Sequence, residues 1–253
     1  MTLEPTSADI IQLAWARHLG LADDAFRAAA AGIAKSGANP TDPSLRITRA
    51  DDSLLSVTFI RLFGTSALVG PQWALDAAVE IPDEELAQHV TLLTLTRGHG
   101  GHGLGSAALF FADELPLLQP SKELSVSHDE AAAVELEALC PPDDVHEAGL
   151  AGMERRYTIV HSQDKGPALP VACGGYSEWE GILAHLGVLV APEWRRLGLG
   201  GLAASIAAHE ALASGLTLQW RTDVSNKGAL AMARSLGFVT GGIESRVLLA
   251  PEG

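Results

Sequence analysis

The chain has 253 residues, 47% of them apolar, and a formal net charge of −14. That length suits one large domain or two small ones, with ample apolar material for a core. The acidic balance excludes a nucleic-acid partner, whose phosphates need a Lys/Arg surface, and favours a cationic or neutral small molecule.

The opening stretch MTLEPTSADIIQLAWARHLG lacks the charged and apolar regions of a signal peptide. No run approaches the about 18 apolar residues of a membrane span. A cytoplasmic protein with no membrane partner is therefore expected. Residues 7–35 read as two alanine-rich helices, with Gly20 as a stop. SLLSVTFIRLFGTSALVG, 53–70, is rich in β-branched and aromatic residues and reads as strand. DEELAQHVTLLTL, 83–95, reads as one helix, and SAALFFADEL, 106–115, as a short strand. LPLLQPSKE, 115–123, carries two prolines and no periodicity. A domain boundary falls there, giving an N-terminal domain of 1–120 and a second domain of 121–253.

After the boundary, LSVSH reads as a strand, and DEAAAVELEAL and DDVHEAGLAG read as helices opened by acidic residues. RYTIVHS, LPVACGGYS and GILAHLGVLV are three strands. GLAASIAAHEALASG is a helix, LTLQWRT a strand and SNKGALAMARSLG a helix with Ser225 as N-cap. FVTGGIESRVLLA reads as a turn between two closing strands. The second half is a mixed α/β layer arrangement. Its two cysteines, Cys140 and Cys173, make neither a disulfide framework nor a metal site. Cys173 reads as a small buried apolar residue.

Two stretches are glycine-rich: RGHGGHGLGS at 97–106 and RRLGLGGLAAS at 195–205. The second lies between a strand and a helix. Such a turn exposes backbone N–H groups at the positive helix end and suits an anion, and Arg195 and Arg196 add charge before it. In the first run, Gly98, Gly100 and Gly103 fit a dinucleotide fingerprint literally. The run follows a helix and leads into a strand, the reverse of what that fingerprint needs. His99 and His102 have no partner cluster for a metal, so the run reads as a flexible connector, possible as a lid.

VLVAPEWRRLGLGGLAAS resembles the acyl-CoA-binding motif of the GCN5-related N-acetyltransferase (GNAT) superfamily, (Arg/Gln)-x-x-Gly-x-(Gly/Ala), matched by Arg195, Gly198 and Gly200. SNKGALAMARSLGF resembles the family's later motif, with Asn226 before a helix that ends in Leu236-Gly237-Phe238. The resemblance covers the second half only. It implies a fold class of α/β (α+β): a GNAT-type mixed, splayed sheet flanked by helices in the C-terminal half, beside a smaller α+β N-terminal domain. It implies acetyl-CoA as co-substrate and a small amine as acceptor, with direct attack in a ternary complex. The parted strands would be 182–190 and 217–222. The pantetheine arm would pair with Val188, Leu189 and Val190, and the phosphates would meet Arg195, Arg196, Leu197, Gly198, Leu199, Gly200 and Gly201. Asn226 would contact the cofactor or tie the strands. A backbone N–H near Leu189 or Val190 would polarise the thioester carbonyl.

The chain departs from the family pattern in two places. Ala233 stands where many members carry a Tyr acid, and Ala184 where some carry a Glu base. LTLQWRTDVSN, with Trp220, is similar to a two-domain branch that normally has Ala in place of the Tyr. His185 has the chemistry of a base, but strand alternation turns it to the other face unless a bulge re-aims it. Glu178, Glu180 and Tyr176 in YSEWEG are further candidates to face the amine. Ser225 is carried as a candidate beside its capping role, and His209 reads as packing on a helix stripe. No metal is expected, and a homodimer is left open. The N-terminal domain is expected to select the substrate, either as a degenerate relative of the second half or as a recognition module. Two rival readings stay open: a non-catalytic acyl-CoA-binding sensor, and a dinucleotide enzyme using 98–103.

Overall fold

The structure is a computed structural model and describes residues 3–37, 39, 42–116, 118, 120–162 and 168–251. Residues 117 and 119 of the expected boundary segment lie outside the described residues. The chain divides into two compact units. One is built on Pro5–Leu109, Thr222–Asn226 and the segment from Thr240; the other on Phe110–Arg221 and Lys227–Val239.

The first unit opens with α1 (Pro5–His18) and α2 (Ala25–Ser36). Then come β1 (Ile47–Ala50), β2 (Ser56–Leu62) and β3 (Thr65–Gly70). The expected single strand over 53–70 is thus a hairpin. Phe63 (φ 48°) and Gly64 (φ 85°) form its two-residue loop, and positive φ at both positions suits the twist of the flanking strands. Next are α3 (Gln72–Ala77), α4 (Asp83–Leu86), α5 (His89–Thr96) and β4 (His102–Ala112). The helix expected over 83–95 breaks at Gln88, which is extended (ψ 123°). Arg46 and Asp83, both almost wholly buried, join at 2.7 Å, and Arg46 also donates to the carbonyls of Ala78 and Ile81. One charged pair so ties the chain before β1 to the turns around α3 and α4.

The glycine run 97–106 makes ring and hydrogen-bond contacts with α3 and α5. The His99 ring stacks on Trp73 with centroids 3.6 Å apart. His102 Nδ1 lies 2.8 Å from the Gly100 carbonyl, and His89 Nε2 lies 2.6 Å from that of Gly103.

The second unit contains β5 (Leu124–Ser127), α6 (Glu130–Ala138), α7 (Pro142–Ala148), β6 (Arg155–His161), β7 (Leu169–Trp179) and β8 (Leu183–Val190). It continues with α8 (Leu199–Ala213), β9 (Thr217–Asp223) and α9 (Lys227–Ser235). Asp129 caps α6 by accepting from Ala131 N–H at 3.0 Å. Strand order is β9-β8-β7-β6-β5; β5 to β8 are antiparallel and β8–β9 parallel, joined through α8. The two faces of this sheet are covered by different helices. Val188, Val190 and Ala172 pack against Leu199, Leu202 and Ala203 of α8. Cys173, Leu189 and Ala191 pack against Ala133 and Leu136 of α6 and against Ala148, Leu150 and Met153. At Gly187 a Cβ would collide with the Ala148 carbonyl and Met153, so only glycine admits this close cover.

The last strand, β10 (Val239–Leu248), corrects the closing turn expected in FVTGGIESRVLLA. It is continuous and returns to the first unit, pairing antiparallel with β2 from Gly242↔Leu62 to Leu248↔Ser56. The strand order there is β1-β3-β2-β10-β4.

Candidate functional site

The site begins with the parallel pairing of β8 and β9. Its register runs Leu183↔Thr217, Ala184↔Leu218 and His185↔Gln219, and ends there. β8 continues to Val190 while still paired with β7 as far as Ala172↔Val190. Among the described residues, 186–190 therefore have a partner strand on one edge only. The direction of their main-chain groups follows from two hydrogen bonds. Thr217 N–H donates to Ile182 O at 3.2 Å, and Ala191 N–H donates to Val171 O at 3.0 Å. Successive residues of a strand turn N–H and C=O to opposite edges. The even residues thus face β9 and the odd ones β7. Val188 and Val190 present main-chain groups to the open side, while those of Leu189 face β7. The Val190 carbonyl is already engaged: Arg195 Nε donates to it at 3.2 Å, and the Cys140 thiol lies 3.7 Å away.

Beyond Val190 the chain makes a short turn, Pro192–Trp194, and enters α8. Arg196 (φ 62°) and Gly198 (φ 81°) both sit in the left-handed region. A non-glycine residue held there is uncommon and costs backbone energy. Leu202 N–H makes the first bond back, to Gly198 O at 3.1 Å. The N–H groups of Leu199, Gly200 and Gly201 precede that bond, so they form the open positive end of a 15-residue helix. A Cβ on Gly200 would lie 2.8 Å from Met232 Cε and 3.3 Å from Val190 Cγ2, which seats the helix start between β8 and α9. Leu197 is 65% exposed at the tip. Arg195 is not free to point at an anion: its Nη2 is 2.6 Å from Asp144 Oδ2 on α7.

His185 occupies the last rung. The β7–β8 register is unbroken from 172↔190 to 179↔183, so no bulge re-aims it and it stays opposite in face to Ala184. Its cross-strand neighbours are Ser177 and Gln219. The side chain is half-buried, and its Nδ1 is buried with no hydrogen-bond partner among the described residues. Burial, then the charge of Arg221, pushes its pKa down to about 4. Glu178 pairs with Ala184 and so lies on the opposite face from His185; Glu180 (φ 53°) is exposed in the hairpin turn. Tyr176 is buried, with its hydroxyl 3.5 Å from Ser214 Oγ at the C-cap of α8. Ser225 is not the cap expected of it. Helix α9 starts at Lys227, and the Ser225 hydroxyl donates to Asp223 Oδ1 at 2.6 Å. Ser225 and Asn226 belong to the Thr222–Asn226 segment of the first unit. Ala233 is fully buried, and Trp220 packs edge-to-face on Phe238 at 5.8 Å. Cys173 is fully buried and its thiol is pushed up by burial. Sequence reading missed Asp144, Cys140, Gln219 and Arg221. Asp144 on α7 reaches Arg195, and Cys140 between α6 and α7 reaches Val190, each across about 50 residues, and no local spacing announces them.

A mixed sheet whose parallel pair opens beside an anion-ready helix start defines a mixed α/β fold. Residues 130–238 match the model of the Acetyltransferase (GNAT) family. Over its whole length the chain resembles the solved structure of a Drosophila protein: 16% identity, 99% of this chain and 98% of that one, TM-score 0.50. It is also similar to a GCN5-related N-acetyltransferase from Kribbella flavida (18% identity, 64% of each chain, TM-score 0.42). A tandem GNAT protein of the clavulanic acid biosynthesis pathway matches at 14% identity, over 63% of this chain and 59% of that one, with TM-score 0.44. The chain thus spans under two thirds of the length of these last two structures. No curated protein matches it.

Among the described residues no helix is long and apolar enough to cross a membrane. Nor do any three His, Cys, Asp or Glu among them converge to hold a metal ion.

Proposed function

We propose that the chain is an acetyl-CoA-dependent N-acetyltransferase acting on a primary amine. The observation that carries this reading is the alignment of two backbone features: the open edge at Val188 and Val190, and the free N–H groups at residues 199–201. The edge suits the amide-bearing pantetheine arm, and the helix start suits its diphosphate. Arg196 adds a positive charge there, whereas Arg195 braces the turn through Asp144. A Val188 or Val190 N–H polarises the thioester carbonyl and stabilises the oxyanion of the tetrahedral intermediate. The amine nitrogen bonds to the acetyl carbon, the C–S bond breaks with its electron pair leaving on sulfur, and the proton shed by nitrogen ends on the coenzyme A thiol. Holding both reactants in one cleft removes much of the entropic barrier.

The test is titration calorimetry with acetyl-CoA on the wild type and on Gly198→Asp, followed by coenzyme A release across a panel of amines. Asp tolerates the left-handed conformation, so the variant stays folded while placing a carboxylate at the phosphate seat. Loss of acetyl-CoA binding is expected. Undiminished affinity in the variant sinks the assignment. A second reading, an acyl-CoA sensor without turnover, is favoured by Ala233 offering no proton to the leaving thiolate. Tight acetyl-CoA binding with no coenzyme A release from any amine selects it.

A further inference from the structure

In the first unit, α3, α4 and α5 border an open groove of about 360 Å³. Ala77, Ile81 and Glu85 form one wall, and Val90, Thr94 and Leu95 of α5 form the other. Ile81 and Leu95 also pack on the buried cluster of Val57, Phe59, Leu68 and Leu92, so the groove is anchored to the core. Its outer parts are bare. Val90 is 63% exposed, and Val79, between Ala77 and Ile81 in the chain, is 57% exposed. Apolar side chains left this open around a concavity mark an interaction surface.

Charge selects the occupant. Residues 72–96 hold five Asp and Glu and no Lys or Arg. Three are engaged within the unit: Asp83 with Arg46, Glu84 with Arg61, and Asp76 with the Gln72 amide. Glu85 in the groove wall and Glu80 beside Ile81 are exposed, and no ion pair engages either among the described residues. A second copy of this chain, at net charge −14, would bring like charge against them. Length selects the occupant's form. Helix α5 has eight residues, about 12 Å of axis. That matches the reach of apolar residues at i, i+4 and i+7 on a partner helix. We infer that the α3–α5 groove docks a basic amphipathic helix of another protein. Its apolar stripe lies against Ile81, Val90 and Leu95, and its Lys or Arg side chains meet Glu80 and Glu85. Such docking is separate from acyl transfer.

Fluorescence anisotropy on the full chain tests it, with a labelled Leu/Lys peptide of about 14 residues and leucines at helical spacing. A peptide of the same composition with Leu and Lys alternating, the period of a strand, controls for charge alone. Saturable binding of the helical pattern is expected, about tenfold or more tighter than that of the alternating one. Val90→Lys removes an apolar contact and adds repulsion, and should weaken binding roughly tenfold. Val134→Lys, the same change at an exposed valine of α6 in the other unit, should leave binding unaltered. Glu80→Gln with Glu85→Gln should weaken it a few-fold and flatten its salt dependence, as suits charges at a rim. No saturation up to about 100 μM, equal affinity for the alternating peptide, or a Val90→Lys variant that binds like the wild type overturns the proposal. So does a dimer of the peptide-free chain in sedimentation that Val90→Lys dissociates, since the groove then belongs to a second copy. Circular dichroism of each variant separates lost docking from lost folding.

Discussion

At the scale of single residues, burial decides which charges matter. Arg46–Asp83 and Arg195–Asp144 are both short pairs, yet the first has side chains 3% and 1% exposed and the second 42% and 39%. Removing one partner of a buried pair leaves an uncompensated charge and costs about 3–5 kcal/mol, while exposed pairs are worth about 0–1 kcal/mol. Asp83→Ala should therefore lower the urea midpoint sharply and Asp144→Ala barely; equal shifts would contradict this ranking. His185 gives a pH dependence whose sign is fixed by its depressed pKa. The folded chain resists protonating this ring until about pH 4, whereas the unfolded chain protonates it near its ordinary value of 6.5. Unfolding thus takes up a proton between those limits, and stability falls as pH drops through that window and not above it. From pH 7 to pH 5 the loss amounts to about 2 kcal/mol. His185→Leu should flatten that part of the stability profile measured by urea denaturation. An unchanged slope would show that the ring is not the titrating group.

At the scale of elements, the strand–turn–helix from 183 to 213 was legible because its signals are local. An apolar strand, paired arginines, spaced glycines and an alanine-rich helix follow one another within one stretch of chain. The same holds for α6 and for the β6–β7–β8 meander. What escaped reading was set by distant partners. The glycines of FVTGGIESRVLLA look like a turn, but Gly242 lacks a Cβ because the Arg61 carbonyl passes directly over it in the neighbouring strand. Ser225 looks like a cap, but Asp223 takes its hydroxyl and amide together. Arg195 carries the expected motif position, yet its guanidinium is committed to Asp144. Its contribution should accordingly be to the shape of the turn. Asp144→Ala releases that brace, and acetyl-CoA affinity should change by a small factor, far less than for Gly198→Asp. A loss as large as that of the glycine variant would mean that Asp144 holds the whole turn.

At the scale of the molecule, chain order and spatial order part company at β10. The first unit's sheet runs β1-β3-β2-β10-β4, so its second-to-last position is filled by residues 239–248 from the far end of the chain. Val247 is fully buried in the same cluster as Val57, Phe59, Leu68 and Leu92. Ser245 Oγ shares the Ala87 carbonyl with Ser106 Oγ, which ties β10 to β4 and to the end of α4. A fragment of residues 1–120 lacks all of this. It would leave β2 and β4 each with an unpaired edge, uncover the apolar side of β2, and strand the buried hydroxyl of Ser106 with one partner fewer. Such a fragment should show no cooperative urea transition and should aggregate. Appending residues 239–251 through a flexible Gly/Ser linker should restore a transition, because the strand and its seven-residue register with β2 return together. A cooperative transition in the fragment without the appended strand would show that the N-terminal elements hold their sheet unaided.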